Sequence, residues 1–360
     1  MSKYWNLKTQ GIEPYVAGEQ PKDGQKVIKL NTNENPYSPS PKIKEVLSNF
    51  DIDTLRLYPD TNSTVFIDAV ASVYGVSREN VFAGNGSDEV LAICWQALFE
   101  KKGNTTLKVL MPEISYSFYP VYSEFYDVAP EKIPLRENFR LDPNDYCGKE
   151  CAGIAIANPN APTSRAITLD EIEVILKANP DVPVIIDEAY AAYAEGYGTA
   201  ASLVGKYKNL VVVMTMSKSY GLAGSRLGYA IASEEIIEGM KKVRDSFNSY
   251  PVDRLTQQIG AAAMLDREHF EKNRVALIKT RAFVTEELRK IGFEIPDSSA
   301  NFIFAKPPKG ADAETLYKNL KAKGILVRYF SKPVINEYLR ITIGTDDEMK
   351  VFLDEVRKEI

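Results

Sequence analysis

The apolar run Leu210-Val211-Val212-Val213-Met214-Thr215-Met216, followed at once by Ser217-Lys218-Ser219-Tyr220-Gly221-Leu222-Ala223-Gly224-Ser225-Arg226, restricts this chain more than any other feature. A short, unbroken β-branched run bounded by turn residues reads as a strand buried on both faces, as in a parallel sheet covered by helices. Open sheets of that kind hold ligands beyond the carboxyl ends of their strands, which is where Lys218 emerges. Upstream, Val184-Ile185-Ile186 is a second such run and ends in Asp187-Glu188-Ala189-Tyr190. The interval between the two runs leaves room for a loop and the next strand. The pair predicts an imine-forming lysine facing an aspartate.

Composition narrows the chemistry further. With 360 residues the chain can bury a large core and is expected to form one large and one smaller domain. A net charge of −5 argues against a general nucleic-acid binder and fits small-molecule chemistry. No apolar stretch approaches the ~18 residues of a membrane span, and Met1 to Asn6 lacks a signal core, so a soluble cytoplasmic protein is expected. Cys147 and Cys151 have no second Cys/His pair to complete a zinc site, so no metal is expected. With His269 the only histidine, a Ser-His-Asp or Cys-His mechanism is disfavoured.

Along the chain, residues 1–27 read as an irregular arm of the kind that reaches a partner subunit, with Gly11, Pro14, Gly18, Pro21 and Gly24 spread through it. Residues 28–50 are assigned to the smaller domain, 51–265 to the large domain and 266–360 to the rest of the smaller one. Within the large domain, helical patterns alternate with the strands Thr106–Met111, Gly153–Ala157, Val184–Ile186 and Leu210–Met216, which predicts an α/β fold with a mainly parallel sheet. Thr168-Leu169-Asp170-Glu171 reads as a capping box. Asp253 to Ile291 reads as one long helix containing the domain boundary. Asn301–Ala305, Ile325–Val327 and Leu339–Ile343 read as strands of an α+β unit closed by a helix starting near Asp346.

The lysine motif and the aspartate strand resemble those of the pyridoxal 5'-phosphate (PLP) aminotransferases of the aspartate aminotransferase fold. That resemblance implies a large PLP-binding domain with a seven-stranded-type sheet, and it supplies roles for the remaining residues. Lys218 is the amine that forms the imine, and Asp187 keeps the pyridine nitrogen protonated. Tyr190 and Asn158, the latter opening Asn158-Pro159-Asn160-Ala161-Pro162-Thr163, are candidates for the phenolic oxygen. Gly84-Asn85-Gly86-Ser87-Asp88-Glu89 precedes an apolar helix, with Ser87 the candidate N-cap and free backbone N–H groups placed for phosphate. A dinucleotide fingerprint would need glycine where Glu89 stands. Ser217 and Arg226 complete the phosphate cup, and Tyr116 is placed to stack on the ring.

More narrowly, the motifs from Asn31 to Ile343 resemble those of the histidinol-phosphate aminotransferases. Asn31-Thr32-Asn33-Glu34-Asn35-Pro36-Tyr37 is similar to their amino-terminal signature, and Leu57-Tyr58-Pro59-Asp60 to their Tyr-Pro element. The resemblance implies a homodimer with shared sites, in which Tyr58 reaches the cofactor phosphate of the other subunit. It also implies that Asn33, Tyr15 and Tyr250 lie at the substrate, Tyr250 in the partner's site, and that Arg328 and Arg340 bind substrate anions. The implied reaction takes histidinol phosphate and 2-oxoglutarate to imidazole acetol phosphate and glutamate. The chain departs from the family pattern at Ala161 and Ser164, where an asparagine and a glycine are usual. An aromatic or broad-specificity aminotransferase and a phosphothreonine-type decarboxylase share most of these motifs. A non-enzymatic binding module would have lost the lysine or gained a DNA-binding segment.

Overall fold

The computed structural model describes residues 3–15, 18–21 and 26–360. The strands are β1 (Ile28–Lys29), β2 (Val81–Gly84), β3 (Val109–Pro112), β4 (Pro130–Ile133), β5 (Gly153–Ala157), β6 (Val184–Asp187), β7 (Leu210–Thr215), β8 (Gly228–Ala232), β9 (Phe302–Ala305), β10 (Ile325–Leu326), β11 (Arg328–Tyr329) and β12 (Leu339–Thr342). Seven of them form one sheet in the order β2-β8-β7-β6-β5-β3-β4. Only β8 runs against its neighbours, β2 and β7, while the other pairings are parallel.

Side-chain alternation explains why this sheet is buried on both sides. Ile154, Ile156, Val184, Ile186 and Val212 point into one apolar core, with the helix Thr64–Tyr74 among its covering elements. Ala155, Ala157, Ile185, Val211 and Val213 point into the other, covered by the helix Gly86–Leu98 with its buried Trp95. A third core belongs to the carboxyl-terminal region: Leu277, Val284, Leu288, Ile303, Ile341, Phe352 and Val356 pack together with Leu30 from near the amino terminus. There β11, β12 and β9 form an antiparallel sheet, and β1 pairs with β10.

The capping box at Thr168 forms as read, its side chain and that of Glu171 each taking a backbone N–H of the other. A second box at Thr345 starts the last helix, Asp346–Glu359. The stretch expected as one long helix is two, Arg254–Leu265 and Arg267–Lys290, broken at Asp266. Asp266 leaves helical geometry and its buried carboxylate accepts the Ser40 hydroxyl at 2.5 Å, with Lys42 at 3.5 Å. The break thus comes from a tertiary contact that helical periodicity does not report. The amino-terminal arm contains a short exposed helix, Leu7–Gly11, capped by Asn6; parts of the arm lie outside the described residues.

Among the described residues no helix is long and apolar enough to cross a membrane.

Candidate active site

Six strands of the large sheet end on one side, and several of the predicted residues come together there. Gly84 ends β2, Asp187 ends β6, Asn158 is the residue after β5, and Lys218 and Tyr116 lie a few residues beyond β7 and β3. Because β8 runs the other way, its amino-terminal end lies on the same side, and Arg226, two residues before it, is delivered to the cluster.

Lys218 Nζ donates to the Thr32 carbonyl at 3.1 Å and lies 5.9 Å from the centre of the Tyr190 ring. Burial first, and then the positive charge of Arg340, pull its pKa down to about 8. Asp187 is buried, accepting the Tyr119 hydroxyl at 3.0 Å and the Ala189 N–H at 3.2 Å. Burial outweighs those two bonds and pushes its carboxyl up to about 6. Tyr119, a residue that the sequence motifs did not single out, is therefore the group that orients Asp187. Glu188 faces the opposite way, accepting Thr199 and the Ala200 N–H, and serves the loop it holds.

The Asn158 amide is bonded at both ends to the Ile167 backbone, its Nδ2 to the carbonyl at 3.1 Å and its Oδ1 from the N–H at 2.9 Å. One Nδ2 hydrogen remains available. The Tyr190 hydroxyl accepts from Asn33 Nδ2 at 3.0 Å, and its ring meets Phe302 edge-on. Asn33 is held in turn by Thr342 and Asn301.

On the phosphate side, one sequence expectation is corrected: the N-cap of the helix Gly86–Leu98 is Asn85, and Ser87 lies inside the first turn. Gly86, the first residue of that helix, adopts φ +78°, a conformation that suits glycine. Ser87 is still beside the first-turn N–H groups, as is Asp88. The Asp88 carboxylate binds Arg226 Nη2 and the Tyr116 hydroxyl, both at 2.8 Å. Tyr116 is thereby fixed in orientation, its hydroxyl pushed well above its ordinary pKa by burial and by Asp88.

Three observations test whether these residues suit PLP. Ser217 Oγ is buried without a hydrogen-bond partner. A Cβ on Gly86 would come within 2.6 Å of the Arg226 guanidinium, and one on Gly228 would overlap the backbone nitrogen of Ser87, so the cup depends on bare backbone. Arg340 Nε is likewise buried and unpaired. A buried hydroxyl without a partner and a bare-backbone helix start held against Arg226, at the same sheet end as a lysine and an aspartate, fit a phosphorylated, nitrogen-containing ring.

Arg340 and Arg328 are direct cross-strand partners in β12 and β11, so their side chains leave the same face. Arg340 Nη2 donates to the Asn31 carbonyl at 2.7 Å, and burial lowers its pKa, with Arg328 adding to the effect. Tyr15 stacks on Phe118 at 4.2 Å between ring centres. Tyr58 and Tyr250 are not in this cluster. They stack on each other, 4.6 Å apart, on the exposed surface, with Tyr58 77% accessible.

At the two departures from the expected loop pattern, Ala161 packs with Ala300, Phe302 and Tyr190 in an apolar cluster, and Ser164 takes φ +61°, where glycine is favoured.

Residues 25–356 match the family described as aminotransferase class I and II. The chain belongs to this family. It is 47% identical to a histidinol-phosphate aminotransferase of Brachyspira hyodysenteriae over 99% of both chains, and 46% identical to one of Clostridium botulinum over 100% of this chain and 99% of the other. Among solved structures, a histidinol-phosphate aminotransferase from Sinorhizobium meliloti in complex with pyridoxal-5'-phosphate superposes with a TM-score of 0.88, at 21% identity, over 99% of each chain. Thus the chain is a PLP-dependent aminotransferase with the fold expected from its sequence, and PLP is its cofactor.

Proposed function

We propose that the enzyme transfers the amino group of histidinol phosphate to 2-oxoglutarate, giving imidazole acetol phosphate and glutamate. The observation that carries this reading is the cross-strand pair Arg328 and Arg340, set on one face, with the Arg340 charge acting on Lys218. The two amine donors, histidinol phosphate and glutamate, share no α-carboxylate, but each presents an anion, and planar guanidinium forks bind phosphate or carboxylate. The full-length relatives named for this activity support the assignment.

PLP, when bound, supplies the electron sink that makes the substrate α-proton labile. Lys218 provides the amine that holds the cofactor and, with its pKa drawn down to about 8, exchanges a proton near neutral pH. Asp187, oriented by Tyr119 and Ala189, supplies negative charge for the ring nitrogen. Ser87, Asp88, Ser217 and Arg226 belong to the phosphate cup, in which Asp88 orients Arg226 and the ring-stacking Tyr116. Asn158 and Tyr190 serve the phenolic oxygen, while Tyr15 and Asn33 line the substrate side.

A homodimer completes the reading. Tyr58 and Tyr250 are stacked and exposed, with Leu55, Leu57 and Phe247 also exposed, a composition suited to contact with a second copy that receives Tyr58 at its cofactor phosphate and Tyr250 at its substrate. The arm of residues 1–27 is assigned to the same interface, and the catalytic reaction to the cytoplasm.

A panel of amine donors assayed against 2-oxoglutarate tests the function. Histidinol phosphate is expected to have the highest kcat/KM. An aromatic amino acid in that place would make the enzyme an aromatic aminotransferase, and carbon dioxide release without a keto-acid acceptor would make it a decarboxylase.

A further inference from the structure

The segment Asn31–Asn35 touches the reacting groups at several points in sequence. The Asn31 carbonyl accepts Arg340 Nη2, the Thr32 carbonyl accepts Lys218 Nζ, and Asn33 Nδ2 donates to the Tyr190 hydroxyl. Asn35 Nδ2 then donates to the Lys218 carbonyl at 2.9 Å and the Ser219 carbonyl at 3.2 Å. Asn35 Oδ1 accepts the Tyr37 N–H at 3.0 Å, so acceptors on one side and a donor on the other admit a single orientation of the amide. The Tyr193 hydroxyl adds a further bond to the Lys218 carbonyl at 3.3 Å. A Cβ on Gly221 would lie 3.1 Å from the Tyr37 carbonyl, so the segment and the lysine loop meet backbone to backbone.

We propose that Asn35 is a positioning residue for Lys218, fixing the lysine peptide against the segment whose Thr32 carbonyl receives the ε-amine. A lysine side chain has four flexible bonds, and proton transfer is sensitive to misplacement of about 1 Å. Gripping the residue at its carbonyl and at its amine removes that freedom. The inference rests on the aminotransferase reading of the site, but not on the identity of the amine donor.

Asn35→Asp keeps the shape, but turns two donated bonds into a carboxylate facing two carbonyl oxygens. Each lost bond is worth roughly five- to tenfold, so kcat in the glutamate half-reaction of the cofactor-loaded enzyme is expected to fall about thirtyfold or more. KM is expected to stay within about threefold, and the pH midpoint of the visible absorbance to move by about half a unit or more. Tyr193→Phe, which loses one donor, is expected to lower kcat about fivefold in the same assay. Parental kcat and an unmoved midpoint in Asn35→Asp would overturn the proposal, as would a fall in activity with lower melting temperature and an unmoved midpoint. If Asn35→Asp does not fold, parental values in Tyr193→Phe overturn it instead. Failure of the histidinol phosphate assignment leaves these readings intact, since they use glutamate and absorbance only.

Discussion

Asp187 makes the cofactor-free protein pay for a charge it needs only when PLP is bound, and Asp187→Asn exposes that penalty. The carboxyl is 5% accessible, has a Tyr119 hydroxyl and one N–H as partners, and is pushed from an ordinary 3.8 to about 6. A carboxyl whose pKa is higher folded than unfolded binds more protons when folded, so its contribution to stability falls as pH rises from about 4 to 6 and stays low above. The difference corresponds to about 3 kcal/mol at pH 8 and about half that at pH 5. Asparagine carries no charge and keeps both bonds, because a tyrosine hydroxyl can accept from Nδ2 as readily as it donates to a carboxylate. Cofactor-free Asp187→Asn is therefore expected to melt about 4 °C above the parent at pH 8, with a smaller gain at pH 5. Thermal denaturation of both proteins, stripped of cofactor, measures it. Loading with PLP should reverse the order, and turnover of the loaded variant should fall on the order of a hundred- to a thousandfold, since a neutral amide no longer holds the ring nitrogen protonated and the electron sink weakens. A cofactor-free variant that melts at or below the parent at pH 8 would refute the burial reasoning.

Arg340→Ala should impair both half-reactions, whereas Arg328→Ala should weaken the phosphorylated donor by roughly ten- to a hundredfold more than an unphosphorylated aromatic one; equal losses in half-reaction kinetics would remove the phosphate role. Mixing Tyr58→Phe with Lys218→Ala chains should restore part of the activity through hybrid dimers with one intact site, and no recovery after verified subunit exchange would count against shared sites. At Ser164, φ +61° is hostile to a β-branched side chain, so Ser164→Val should cost about 2 kcal/mol more than Ser164→Gly in chemical denaturation.

The amino-acid sequence alone was enough to locate β5, β6 and β7, because strands buried on both faces are uninterrupted apolar runs, and the residues just beyond their carboxyl ends must lie at the ligand side of the sheet. Lys218, Asp187 and Asn158 were legible for that reason. The capping box at Thr168 was legible because it is built from neighbours in the chain. By contrast, β4 lies at the sheet edge with only Ile133 of Pro130-Glu131-Lys132-Ile133 buried, and so carries no apolar signature. The reversed direction of β8, which brings Arg226 to the phosphate side, depends on pairing with β2 and β7 rather than on its own composition. Arginines on neighbouring strands could be read from the pattern, but their direct pairing could not, since register is set by what each strand packs against. The same holds for Tyr119 on Asp187, Asn35 on Lys218 and the helix break at Asp266. Periodicity reports which face of an element is buried; which distant group waits there is decided only when the elements pack.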